Sequence, residues 1–121
     1  MHETPHFTPV SELLSTAPQL TPADMAAVAR AGFKAVINNR PDHEGGPDQP
    51  TAETLRQAAE AVGLAYVHQP VSPSHVRPQD VERFAAHVLA LPQPVVAFCR
   101  TGTRSRRLHD SAREMLRGAA R

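Results

Sequence analysis

Apolar and polar positions along the chain fall into blocks whose spacing alternates between a strand-like run and a helical repeat of about 3.6 residues. "FKAVINN", Phe33 to Asn39, has the length and branched side chains of a buried strand and breaks at Arg40 and Pro41. "LAYVHQPV" and "PVVAF" read as two further strands, and a short apolar stretch around Leu13 and Leu14 precedes them all. Between them lie helical segments. Thr21 is placed as an N-cap, with Pro22 at the first helical position and Asp24 able to reach back, before "MAAVARAG" closes at Gly32. Thr51 caps a second helix that runs to Ala61 or Val62 and stops at Gly63. From Pro78 to Leu91, the residues Val81, Phe84, Ala85, Val88 and Leu91 form one apolar face. Leu108, Ala112, Met115 and Ala119 are expected to do the same for a last helix. The segment "RPDHEGGPDQP", Arg40 to Pro50, is a loop, because its prolines and paired glycines prevent a regular ladder.

Strands alternating with helices imply crossover units and a mainly parallel sheet of four to five strands in a three-layer α/β/α arrangement. Ligands in such folds bind beyond the carboxyl ends of the strands. The loops after Leu14, after Asn39, after Pro70 and at Cys99 are therefore expected to converge on one edge. The 121 residues suit a single domain, 1–121, in which folding buries roughly two-thirds of the surface of the unfolded chain. With 40% hydrophobic and 21% charged residues, the composition points neither to disorder nor to a membrane protein. The amino terminus lacks the basic and apolar regions of a signal peptide, so the expected location is the cytoplasm. A net charge of +1 predicts no general attraction to nucleic acid, although arginines gather near the carboxyl end, from Arg100 to Arg121.

The chemistry concentrates in "VVAFCRTGTRSRR", residues 95–107, which holds the single cysteine, Cys99. One cysteine forms no internal disulfide and no multi-cysteine metal site. It stands between a buried strand and a helix start, where backbone amides and the positive helix end make an anion-binding concavity. Arg100, Thr101, Gly102, Thr103 and Ser105 are the expected substrate-binding positions, Gly102 being where the backbone turns freely. Thiols at helix amino termini beside arginine ionise readily, which makes Cys99 a candidate nucleophile. Arg104 in the first helical turn opposes the helix dipole unless an anion sits against it. A small hydrophobe closing a strand would need none of these neighbours.

"CRTGTRS" after an apolar strand resembles the active-site loop that rhodanese sulfurtransferases and cysteine-dependent phosphatases share in outline. With "NNRPDHEG" and the spacing of later elements, residues 8–118 resemble the bacterial beta-lactamase hydrolase-like protein phosphatase-like domain family, also described as sulfur transferases. The resemblance implies a dual-specificity-phosphatase-like fold, and similar domains are fused to metallo-β-lactamase-like enzymes of sulfide oxidation. Cysteine phosphatases carry a C-x5-R loop. Here four residues separate Cys99 from Arg104, and Ser105 holds the position that spacing would require.

That shorter loop favours a rhodanese-like sulfurtransferase. In this reading Cys99 becomes a persulfide, Arg104 and the turn hold the anionic sulfur, and Arg100 draws in donor and acceptor. The implied partners are a small anionic sulfur donor and an external acceptor such as glutathione, cyanide or another protein, with a sulfide-oxidising enzyme as a further candidate. The alternative is a cysteine-dependent phosphatase with a phosphocysteine intermediate and a phosphate ester as substrate, which needs an acid for the leaving oxygen. Asp42 or Glu44 on the Arg40–Pro50 loop are candidates, as is His75 on the loop after the third predicted strand. A third reading is a non-catalytic anion- or protein-binding module. No cofactor is called for, and the seven histidines show no helical metal-ligand pair: His2 and His6 flank Pro5, His87 and His109 lie on separate helices, and His43, His68 and His75 fall near the cysteine edge.

Overall fold

The computed structural model describes residues 4–120, with side chains to residue 118; His2, Arg121 and the side chain of Ala119 lie outside the described residues. Five strands run in chain order as β1 (Thr8–Pro9), β2 (Leu14–Ala17), β3 (Ala35–Asn38), β4 (Ala65–His68) and β5 (Val95–Phe98). The helices are α1 (Met25–Arg30), α2 (Ala52–Ala61), α3 (Pro78–Ala90) and α4 (Thr103–Ala120), and a 3-10 turn at Pro22–Asp24 leads into α1. In the sheet the order is β1-β2-β5-β3-β4. All pairings are parallel except that of β1, an antiparallel edge strand. No helix among the described residues is long and apolar enough to cross a membrane.

Alternation along each strand assigns the two faces of the sheet. Ala35, Ile37, Val95 and Ala97 join Phe84, Ala85 and Val88 of α3 and Leu108, Ala112 and Leu116 of α4 in one buried cluster. Val36, Val96 and Phe98 point the other way, onto Met25 and Val28 of α1 and Leu55 and Ala59 of α2. Three layers result, as the pattern of the sequence predicts. Sequence and structure differ in detail: α1 is shorter than its apolar repeat because its first turn is 3-10, with Asp24 Oδ2 accepting from Thr21 N at 2.7 Å. On α4 the buried arc is Arg104, Ser105, Leu108, His109, Ala112 and Leu116, so the expected Met115 falls beyond its edge and is 45% exposed.

Register brings the parallel strands to a common end. Ala17 pairs with Phe98, Phe98 with Asn38, and Asn38 with His68. The chain leaves all four parallel strands at one level, and Cys99 follows β5, the central strand of the five-stranded sheet. The first of these loops starts after Ala17 rather than after Leu14, because β2 continues through Ser15 and Thr16.

Candidate active site

Cys99 is 1% exposed at the base of the turn between β5 and α4. Its Sγ accepts a hydrogen bond from Gly102 N at 3.1 Å. Gly102 has φ +93°, and a Cβ there would lie 3.4 Å from the backbone of Ala17, so the turn combines a left-handed residue with a close approach to β2. Thr101 Oγ1 donates to Thr103 Oγ1 at 3.0 Å and accepts from Thr103 N at 3.4 Å, which closes the outer side of the turn. Ser105 Oγ donates to Asn39 Oδ1 at 2.8 Å, tying the first turn of α4 to the end of β3. Above Cys99 lies a cavity of about 200 Å³ lined by Pro73, Cys99, Arg100, Thr101, Thr103, Arg104 and Arg107. Arg100 and Arg107 are exposed at its rim, while Arg104 is 7% exposed.

Arg104 joins the loops that follow β3, β4 and β5. Its Nη1 donates to the carbonyls of Asn39 at 3.3 Å and Val71 at 3.0 Å, and its Nη2 donates to Glu44 Oε1 at 3.0 Å. Its Nε–H is buried without a hydrogen-bond partner. Glu44 Oε1 also accepts from Arg40 Nε at 3.0 Å, so one carboxylate lies between two arginines. Burial pushes Glu44 up, but hydrogen bonds from Arg104 and Arg40 and their charges outweigh it and hold the carboxyl below its ordinary range.

Arg40, 8% exposed, is a further member that the sequence reading leaves unassigned. Its Nη1 donates to Gln19 Oε1 at 3.0 Å, and Gln19 N donates to Arg100 O at 3.1 Å, which links the loop after β2 to the cysteine turn. Gly45 makes room for it, since a Cβ there would stand 2.6 Å from Arg40 Nη2. Arg40, Gln19 and Asn39 all stand just past the carboxyl end of a strand, and that position is the signal by which they could have been found. The same loops bound a second cavity of about 520 Å³, lined by Arg40, Glu44, Gly45, Pro73, Arg100 and Arg104.

The candidate acids are placed differently. Asp42 Oδ1 accepts from Ala52 N at 2.8 Å and so caps α2 instead of facing Cys99. His75 is exposed on the loop after β4 and lines neither cavity. Among the described residues no group of His, Cys, Asp and Glu is built to hold a metal ion.

Residues 6–114 match the family described as "Beta-lactamase hydrolase-like protein, phosphatase-like domain". A beta-lactamase hydrolase-like protein of Agrobacterium fabrum is 36% identical over 100 residues, which cover 83% of this chain and 23% of that protein. The chain thus spans about a quarter of that relative's length. A solved structure of a candidate phosphatase from Neisseria meningitidis superposes with a TM-score of 0.78 at 39% identity, covering 84% of this chain and 71% of that one. The core catalytic domain of a PP-IP phosphatase from S. cerevisiae, in complex with citrate, shares the fold with a TM-score of 0.62 at 15% identity, covering 94% of this chain and 78% of that one. On the length and identity of these matches, the chain belongs to the beta-lactamase hydrolase-like protein phosphatase-like domain family.

Proposed function

We propose that this domain is a cysteine-dependent phosphohydrolase in which Cys99 is the nucleophile. The observation that carries the reading is the buried Cys99 Sγ, held by Gly102 N at the floor of a cavity that Arg100, Arg104 and Arg107 line. The names of the Neisseria and yeast proteins support this reading over sulfur transfer. The thiolate attacks phosphorus, an S–P bond forms, and the bond to the leaving oxygen breaks with its electron pair on that oxygen. Water then attacks the phosphocysteine, releases phosphate and regenerates the thiol. The guanidinium groups of Arg100 and Arg107 at the rim and the positive amino end of α4 are the donors for the phosphoryl oxygens.

The test is turnover of an aryl phosphate by the intact protein and by Cys99→Ser. Hydrolysis that vanishes in the variant is expected; a variant as active as the parent would overturn the reading.

A second reading, sulfur transfer through a Cys99 persulfide, is favoured by one specific observation. The loop from Cys99 to Arg104 is one residue shorter than C-x5-R, Asp42 is used at the start of α2, and Glu44 is bound by Arg104 and Arg40. The partners in that case are an anionic sulfane donor and an external thiol, since the chain has no second cysteine. Mass spectrometry after incubation with thiosulfate separates the two. An added sulfur on Cys99 together with no aryl-phosphate turnover would put sulfur transfer first.

A further inference from the structure

The cavity around Arg40 adjoins the Cys99 cavity through three shared lining residues, Pro73, Arg100 and Arg104. It is cationic, with Arg40, Arg100 and Arg104 set against the single carboxylate of Glu44. Two of the three arginines are more than nine-tenths buried and fixed in place by hydrogen bonds, so their direction is set before any ligand arrives. Arg40 Nη2 has no hydrogen-bond partner among the described residues, and exposed Arg100 makes no side-chain ion pair among them. Guanidinium groups with free donors facing a cavity match phosphate oxygens.

The acids bear on the same question. Asp42 is used at the start of α2, and Glu44 is held ionised between two arginines, so neither is placed to protonate a departing alkoxide at neutral pH. A leaving group that is stable as an anion needs no such proton.

We propose that the Arg40 cavity is a second anion subsite and that the substrate class is a phosphoric anhydride, a compound with two phosphoryl groups joined through the scissile oxygen. This deepens the phosphohydrolase reading and rests on it. One phosphoryl group lies over Cys99 and the other occupies the Arg40 cavity. Cys99 Sγ bonds to the first phosphorus, the P–O bridge breaks, and the electron pair leaves on the second phosphate, whose new oxyanion Arg40 and Arg100 receive. Water cleaves the S–P bond, giving inorganic phosphate and returning the thiol.

The experiment compares inorganic pyrophosphate with orthophosphate. By calorimetry at one ionic strength, Cys99→Ser is expected to bind pyrophosphate at least about tenfold more tightly than orthophosphate, the gain of one added charge-assisted contact. Adding Arg100→Ala, a change at an exposed residue, removes that preference, and adding Gly45→Ala, which displaces the Arg40 guanidinium, reduces it. Adding Arg113→Ala, which removes an arginine lining a different cavity beside Val10 and His109, leaves the preference intact. Equal binding of the two anions would overturn the subsite, and so would a preference that Arg113→Ala lowers as much as Arg100→Ala. Failure of the underlying reading looks different: pyrophosphate is then preferred by Cys99→Ser, but the intact protein hydrolyses neither pyrophosphate nor phenyl phosphate.

Discussion

Two charged triads in this molecule are chemical mirror images. At the site, Glu44 lies between Arg40 and Arg104, with side chains 18%, 10% and 7% exposed. On α2, Arg56 lies between Glu53 and Glu60, with side chains 39%, 60% and 52% exposed. The α2 triad has the stronger mark on protonation: hydrogen bonds from Arg56 and Gln57 draw Glu53 down to about 2. It nevertheless connects residues of one helix that water already solvates, and such pairs add little to stability. The buried triad ties the end of β3, the loop after β4 and the first turn of α4 together, so losing Arg104 leaves the Val71 carbonyl without a donor and Glu44 with a single cation. Where a charge pair sits, and how many separate elements it joins, decides its worth.

The largest effect that separates the triads is expected from Arg104→Ala. Glu44 loses one of its two cations and the Val71 carbonyl loses its donor, while the Asn39 carbonyl keeps only the N–H of Val71. A cost of about 3–5 kcal/mol in urea unfolding is expected, with loss of the proposed phosphohydrolase activity. Arg104→Lys restores little, because an ammonium cannot fork to two carbonyls and a carboxylate at once.

Glu44→Gln comes next, at about 1–3 kcal/mol near neutral pH, since an amide oxygen still accepts from one arginine. Its pH dependence sharpens the comparison. The folded Glu44 carboxyl titrates below the ordinary 4.5, so the unfolded chain takes up its proton first as pH falls. The advantage of the parent over Glu44→Gln is therefore full above pH 4.5 and shrinks as pH drops through the depressed folded value. An advantage that stays constant down to pH 3 would contradict the assignment.

The smallest effect is expected from Arg56→Ala, which should leave the midpoint of urea unfolding unchanged within error. If Arg56→Ala destabilised the protein as much as Glu44→Gln, the distinction between buried and exposed triads would collapse.

Much of the fold was legible in the sequence, and so was the place of Cys99 between β5 and α4. The strand runs, the caps at Thr51 and Asp24 and the apolar face of α3 are local features, and local patterns record them because each follows from a repeat or a side chain a few residues away. Cys99 was legible for the same reason: its strand, Gly102 and the helix start are neighbours in sequence. Met115 shows the limit, since the helical repeat narrows the buried arc of α4 without fixing its edge, which depends on where the sheet lies. The roles of Asp42 and Glu44 were beyond reach. Two residues apart on one loop, they go to different tasks, one capping α2 and the other joining two arginines.

The sequence by itself determined the alternation of elements, the parallel sheet that follows from it, and a lone cysteine at a strand end before a helix. Only the tertiary structure decided that Arg104 binds carbonyls 33 and 65 residues away, and that Arg40 and Gln19 join the edge of the site. The physical reason is register: parallel pairing sets Ala17, Asn38, His68 and Phe98 at one level, and residues just past them meet there however far apart they lie in the chain.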